Sequence, residues 1–287
     1  LKKMHEYGWE ADADLLHASH AAFEVAPAVT VTFASALARA RVSDRLCGYS
    51  YAAATSAGSP MVMDAKALAG MFATGNGVPP SSGVQLINDL NPGAPLRDLL
   101  SFSPSSLKQD FNLDGALCLR NLLTGVDVTA KSLQLGLDET RRTANLRGKP
   151  ALIVHGRNDA LLPVNHTSRP YTAMNKVVEG DKSRLSYIEV DNAQHFDGFI
   201  GLPTVLPGYD TRFVPLHVYL NRAMDAMYEH LKNGKALPAS QVVRTSPRGG
   251  TPGAAPALTD AHLPAIATTP AAADAIVMNG TTLKVPD

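Results

Sequence analysis

The stretch from Ala151 to Pro163, ALIVHGRNDALLP, ends a short apolar run at a His-Gly turn and sets an acid, Asp159, just beyond it. The run Ala151, Leu152, Ile153 and Val154, bounded by Pro150 and Gly156, reads as a buried parallel strand. An acid past the carboxyl end of such a strand sits where open α/β sheets hold ligands and reacting groups. A second run, Leu185, Tyr187, Ile188 and Val190, leads through Asp191 into Asn192, Ala193, Gln194, His195, Phe196 and Asp197. A histidine thus occupies a loop at the end of the neighbouring strand, where it can meet Asp159. A carboxylate that accepts the Nδ1–H of a histidine fixes its tautomer and stabilises the imidazolium formed when Nε2 takes a proton from a nucleophile. Asp191 and Asp197 lie within four residues of His195 and are expected to orient the loop locally. The structural alternative makes Asp159 a helix cap and His195 a buried, hydrogen-bonded loop residue.

Acid before histidine is the order of the α/β-hydrolase triad, which also requires a serine earlier in the chain. The nearest approach to G-x-S-x-G is Gly48, Tyr49, Ser50, Tyr51, Ala52, with alanine in place of the last glycine. Val42 to Cys47 do not read as the buried strand that a nucleophile elbow follows. The 47 residues before Gly48 are also fewer than the several strand-helix units such a fold places ahead of its serine, at roughly 30 residues per unit. Ser50, and Ser56 and Ser59 in ATSAGSP, are therefore weak candidates, and the serine is expected upstream. His17 and His20 form an H-x-x-H pair without the carboxylate of a zinc-protease helix and read as surface or packing residues. His166 could face substrate, with Asn165 and Arg169 as polar neighbours, or serve a helix start. His155 reads as a hydrogen-bonded core histidine, and His217 and His230 belong to or flank the last helix.

The elements that must position these groups fall into three stretches. Residues 1–147 read as a helix-rich layer with one strand at Val29, Val31 and Phe33. It has loops at Gly75–Gly83 and at Asn91, Pro92, Gly93 and Pro95, and a helical stripe of Leu107, Phe111, Leu117 and Leu122 with Gly115 its weak point and Gly125 its cap. Residues 148–237 read as strand, helix and strand, with Tyr171, Met174, Val177 and Val178 on the connecting helix. A further helix carries Leu220, Met224, Met227 and Leu231 and closes at Asn233 and Gly234. Residues 238–287, rich in Ala, Pro, Thr and Gly, read as an extended strap with Leu258, Leu263, Ile266, Ile276, Val277 and Met278 as anchors. The fold class expected is α/β: the C-terminal part of an α/β-hydrolase, at the edge of its parallel sheet, with a helix-rich region.

Composition narrows the partners. With 26 basic and 26 acidic residues the formal charge is zero, which gives no electrostatic reason to expect nucleic acid or an anionic membrane. No apolar run reaches the roughly 18 to 20 residues of a spanning helix. Cys47 and Cys118 lack metal spacing and read first as buried apolar residues, a single disulfide being the alternative. The chain begins at Leu1 and reads as an internal or C-terminal segment of something longer.

Four runs, GWEADADLLHASHAAF, ALIVHGRNDALLPVNHTSRPY, YIEVDNAQHFDGF and GYDTRFVPLHVYLNRAMDAMYEHL, together resemble the D-(-)-3-hydroxybutyrate oligomer hydrolases. The likeness extends over essentially the whole chain and is sharpest from Lys149 to Pro238. It implies a serine esterase that cleaves short oligomers released from poly(3-hydroxybutyrate), with this chain as its C-terminal portion and the helical region as a lid. The family's acid and base carry over onto Asp159 and His195, and its serine has no matching position here. A small ester substrate is implied, with no metal or organic cofactor and no nucleic-acid or membrane partner. A secreted or periplasmic location is expected, a cytoplasmic one staying open. An esterase of other specificity, or a catalytically silent docking module, is the competing reading.

Overall fold

The computed structural model describes residues 1–22, 24–66, 69 and 84–287. The expected loop at Gly75–Gly83 lies outside them. Two compact units form, one of Ala18–Arg142 and one of Leu1–His17 with Thr143–Asp287.

In the first unit, helix α1 (Val25–Leu37) turns Ala28, Val31, Ala34 and the following Ala38 inward. The alternation at Val29, Val31 and Phe33 suggests a strand, and the structure differs. The stretch is part of this helix, because it also repeats small and apolar residues at three-residue spacing and so suits a helical face. Strands β1 (Tyr49–Ala54), β2 (Pro60–Met61), β3 (Gln85–Asn88) and β4 (Leu96–Arg97) make an antiparallel sheet in the order β2-β1-β3-β4. Tyr49 pairs with Asn88 and Ala52 with Gln85. Helix α2 (Leu113–Asn121) starts at Asn112, whose side chain accepts the Gly115 N–H. Leu107 and Phe111, expected on its stripe, precede it and are exposed. Helix α3 (Val128–Thr140) is capped by Asp127 and approaches α1 so closely that a Cβ on Gly136 would lie 2.3 Å from the Leu37 carbonyl oxygen. Val31, Tyr49, Leu86, Leu119 and Leu133 share this unit's core. Cys47 and Cys118 are joined in a disulfide that ties the turn before β1 to α2, with Cα atoms 5.5 Å apart. The first reading, of two buried apolar cysteines, is thereby corrected, and the alternative of a single disulfide is the one found.

In the second unit, β5 (Ala151–Gly156), β6 (Leu185–Val190) and β7 (Gln241–Val243) form a parallel sheet in that order. Helix α4 (Ser168–Glu179) joins β5 to β6, and α5 (Leu216–Asn233) lies between β6 and β7. Both helices were located by apolar stripes that the structure turns outward. Met174, Val177, Val178, Leu220, Met224 and Leu231 are exposed, whereas the inner face of α4 is Ser168, Thr172 and Asn175. Ile188, Val190, Ala193, Val214, Tyr219 and Val243 form one core cluster, against which Leu263 and Ile266 of the last fifty residues pack. After β7 those residues run through turns and irregular chain, bury Ile276, and end in a hairpin of β8 (Val277–Asn279) and β9 (Thr282–Lys284).

The expected fold class does not hold. The stretch expected as a helix-rich layer carries a four-stranded antiparallel sheet, and the parallel sheet of the other unit has three strands among the described residues. The physical reason lies in β1, whose sequence YSYAAA lacks the alternation and β-branched residues that mark a strand; its pairing comes from β3.

Candidate active site

The second unit brings Asp159 and His195 together. Pro150 opens β5, and Gly156 ends it because the loop after β6 crosses there. A Cβ on Gly156 would lie 2.4 Å from the Ala193 carbonyl oxygen, and that oxygen accepts the Asn158 N–H at 2.9 Å. The crossing places His195 Nδ1 2.8 Å from Asp159 Oδ2, with Asp159 4% and His195 32% exposed. An ionised carboxylate only accepts, so Nδ1 is the donor and Nε2 is left without its proton in the neutral ring. Nε2 makes no hydrogen bond among the described residues.

Every acceptor position of Asp159 is taken. Oδ1 receives the Leu161 N–H at 2.9 Å and the Leu162 N–H at 2.7 Å. Oδ2 receives His195 and also His155 Nε2–H at 3.1 Å. Burial alone would raise the carboxyl's pKa, but the hydrogen bonds from His155, His195 and Leu162 outweigh it and hold the group at about 2. The bond to Asp159 raises His195 above the ordinary imidazole value, against a smaller opposing effect of burial. The pair is a fixed anion beside a base with one accessible nitrogen.

The other sequence candidates are placed elsewhere. Asp191 pairs with Arg157 at 3.3 Å and Arg244 at 3.1 Å. Asp197 caps α5 through the Leu216 and His217 N–H groups and touches the His217 ring. Asn165 donates to the Gly8 carbonyl and to Glu10, and Arg169 is bound to Glu10 and Glu189, so His166 has neither beside it as a free substrate contact. Ser50 lies inside β1 opposite Ile87, in a regular antiparallel pair with no strand-to-helix turn after it. Ser56 and Ser59 belong to the turn between β1 and β2. His17 and His20 fall in the short helix His17–Ala22, and among the described residues no group of three His, Cys, Asp or Glu side chains is placed so that it could hold a metal ion.

His155 is the hydrogen-bonded core histidine that the sequence suggests, its side chain 12% exposed, and one of its two partners is Asp159, a contact the sequence reading does not anticipate. The signal was present: in H-G-x-x-D the histidine and the acid are four apart across a tight turn, so one side chain can reach the other.

The family model for 3HB-oligomer hydrolase matches residues 1–287. A D-(-)-3-hydroxybutyrate oligomer hydrolase of Paracidovorax citrulli is 62% identical over the whole chain, which covers 40% of that protein. One of Cupriavidus necator is 58% identical, again over the whole chain and 40% of its own length. One of Ralstonia pickettii is 59% identical over 96% of the chain and 37% of its own length. No solved structure matches the chain. The chain spans about two fifths of the length of these curated relatives, and by the match across all its residues it belongs to the 3HB-oligomer hydrolase family.

Proposed function

We propose that the protein hydrolyses ester bonds of 3-hydroxybutyrate oligomers by an acyl-enzyme route in which His195 is the base and Asp159 the acid that orients it. The observation that carries the reading is the 2.8 Å contact from His195 Nδ1 to a buried, donor-saturated Asp159, with Nε2 free to act. His195 Nε2 removes the proton of a serine hydroxyl as its oxygen bonds to the ester carbonyl carbon. Asp159 stabilises the imidazolium, which then returns the proton to the departing alkoxide. Water repeats the sequence on the acyl-enzyme. The names of the relatives support the substrate class. The serine is proposed to lie upstream of Leu1, which the regular strand setting of Ser50 supports. A secreted or periplasmic location is part of this reading, supported by the Cys47–Cys118 disulfide, since such bonds persist in oxidising compartments.

The test is hydrolysis of the 3-hydroxybutyrate dimer by a chain extended to the relatives' length. His195→Ala and Asp159→Asn are expected to lower kcat on the order of 10⁴-fold, and near-normal rates in either would overturn the roles. A serine-directed phosphonate should label a residue outside 1–287. Label on Ser50 would refute the upstream nucleophile.

A further inference from the structure

Asp159 serves two histidines through one oxygen. His195 Nδ1 lies 2.8 Å and His155 Nε2 3.1 Å from Oδ2. Behind His155 runs a continuous polar chain. With the ring proton on Nε2, its Nδ1 accepts the Ser168 hydroxyl proton at 2.7 Å, Ser168 Oγ lies 2.9 Å from Tyr187 Oη, and Tyr187 donates to Glu189 Oε2 at 2.7 Å. Glu189 is fully buried in the central strand and is clamped by Arg157 Nε at 2.5 Å and by Arg169 at 2.6 and 2.9 Å. The members come from β5, α4 and β6, so the whole chain is fixed by the parallel sheet and its helix. A buried glutamate between two guanidiniums is costly to assemble for fold stability alone. This one anchors a line of side chains that ends on the acid of the proposed pair.

We infer that His155 is a positioning residue for that pair: by donating Nε2–H to the oxygen His195 uses, it sets the carboxylate's orientation and divides its charge between two imidazoles. Ser168, Tyr187 and the Glu189–arginine clamp hold the His155 ring so that this share is constant. The inference rests on the proposed roles of Asp159 and His195. The titratable and polar groups along this line are Asp159 on the acid loop, Ser168 and Arg169 from α4, Tyr187 and Glu189 from β6, and Arg157 after β5. With the His155 donor removed, Oδ2 has only His195 to serve and attracts its imidazolium more strongly. His195 then holds its proton to higher pH.

The experiment compares His155→Leu, which deletes the donor, with His155→Gln, whose amide N–H can reach Asp159, in the chain extended to the relatives' length. Two readouts are taken: the nitrogen NMR titration of His195, and the acid limb of kcat/KM against pH for the dimer. The leucine variant is expected to move both upward by about half a pH unit and to lower the plateau about tenfold, and the glutamine variant to restore most of each. A titration unmoved in the leucine variant, or moved downward, overturns the inference. Should the leucine variant not fold, Ser168→Ala is read in its place, with a smaller upward shift expected and no shift counting against the inference. If the wild-type protein hydrolyses no ester, the functional reading fails, while the NMR titration still decides whether His155 tunes His195.

Discussion

Two aspartates of one type, both almost without solvent, have opposite fates. Asp159 is filled by four donors and stays ionised down to about pH 2. Asp98, fully buried just after β4, has no hydrogen-bond partner on either oxygen among the described residues, and burial, then the nearby Glu24 charge, push it up to about 7. Donors, not depth, separate them. The pH consequences have opposite sign. Asp159, depressed when folded, contributes stability above its unfolded pKa of about 4, and that contribution is lost as pH falls through about 2. Asp98 binds its proton more tightly folded than unfolded, so its contribution falls as pH rises from about 4 through about 7. Asp98→Asn should therefore gain stability relative to the wild type as pH is raised, with the gap greatest above about pH 7, measured as urea midpoints across the range. Parallel pH profiles for the two proteins would exclude the effect.

At the level of elements, the pair depends on how β5 ends. Gly156 permits the Ala193 carbonyl to lie across the strand end, and that crossing sets the height of His195 over Asp159. Gly156→Ala must displace backbone, which cannot give as a flexible side chain would. A shift of about 1 Å in this loop should cost on the order of 10²-fold in kcat. Gly201→Ala, where an added Cβ meets nothing within 4 Å, serves as the comparison and should keep the rate. Equal rates in both variants would mean the loop is not held by the crossing. The same elements show what a sequence exposes. The strand-turn-acid stretch was legible because it is contiguous and marked by Pro150, Gly156 and Pro163, and the histidine loop because it follows directly on a contiguous apolar run. The existence of α4 and α5 was legible from their period, but not which side faces inward: period reports that a helix has two faces, and the polar Ser168–Thr172–Asn175 face is buried because it meets partners such as Tyr187 and the Ala144 carbonyl. Strand β1 was illegible because its pairing partners, not its own residues, make it a strand.

For the molecule as a whole, the least legible feature is the one covalent tie. Cys47 and Cys118 stand 71 positions apart, and no local pattern marks them as partners; what joins them is the arrival of α2 beside the turn that precedes β1. A link closing so long a loop removes many conformations from the unfolded chain, by about 4 kcal/mol in the chain-entropy account. It acts inside the unit of Ala18–Arg142, whereas the Asp159–His195 pair and its polar chain belong wholly to the other unit. Replacing both cysteines by serine should therefore lower hydrogen-exchange protection most in α1, α2 and β3, whose buried side chains share one core, and leave the protection of β5 and β6 near its wild-type level. Mass spectrometry of exchanged peptides from the two regions reads this directly. Uniform loss across both would show that the units unfold as one, and unchanged protection in α2 would show that the bond is absent or carries no stability.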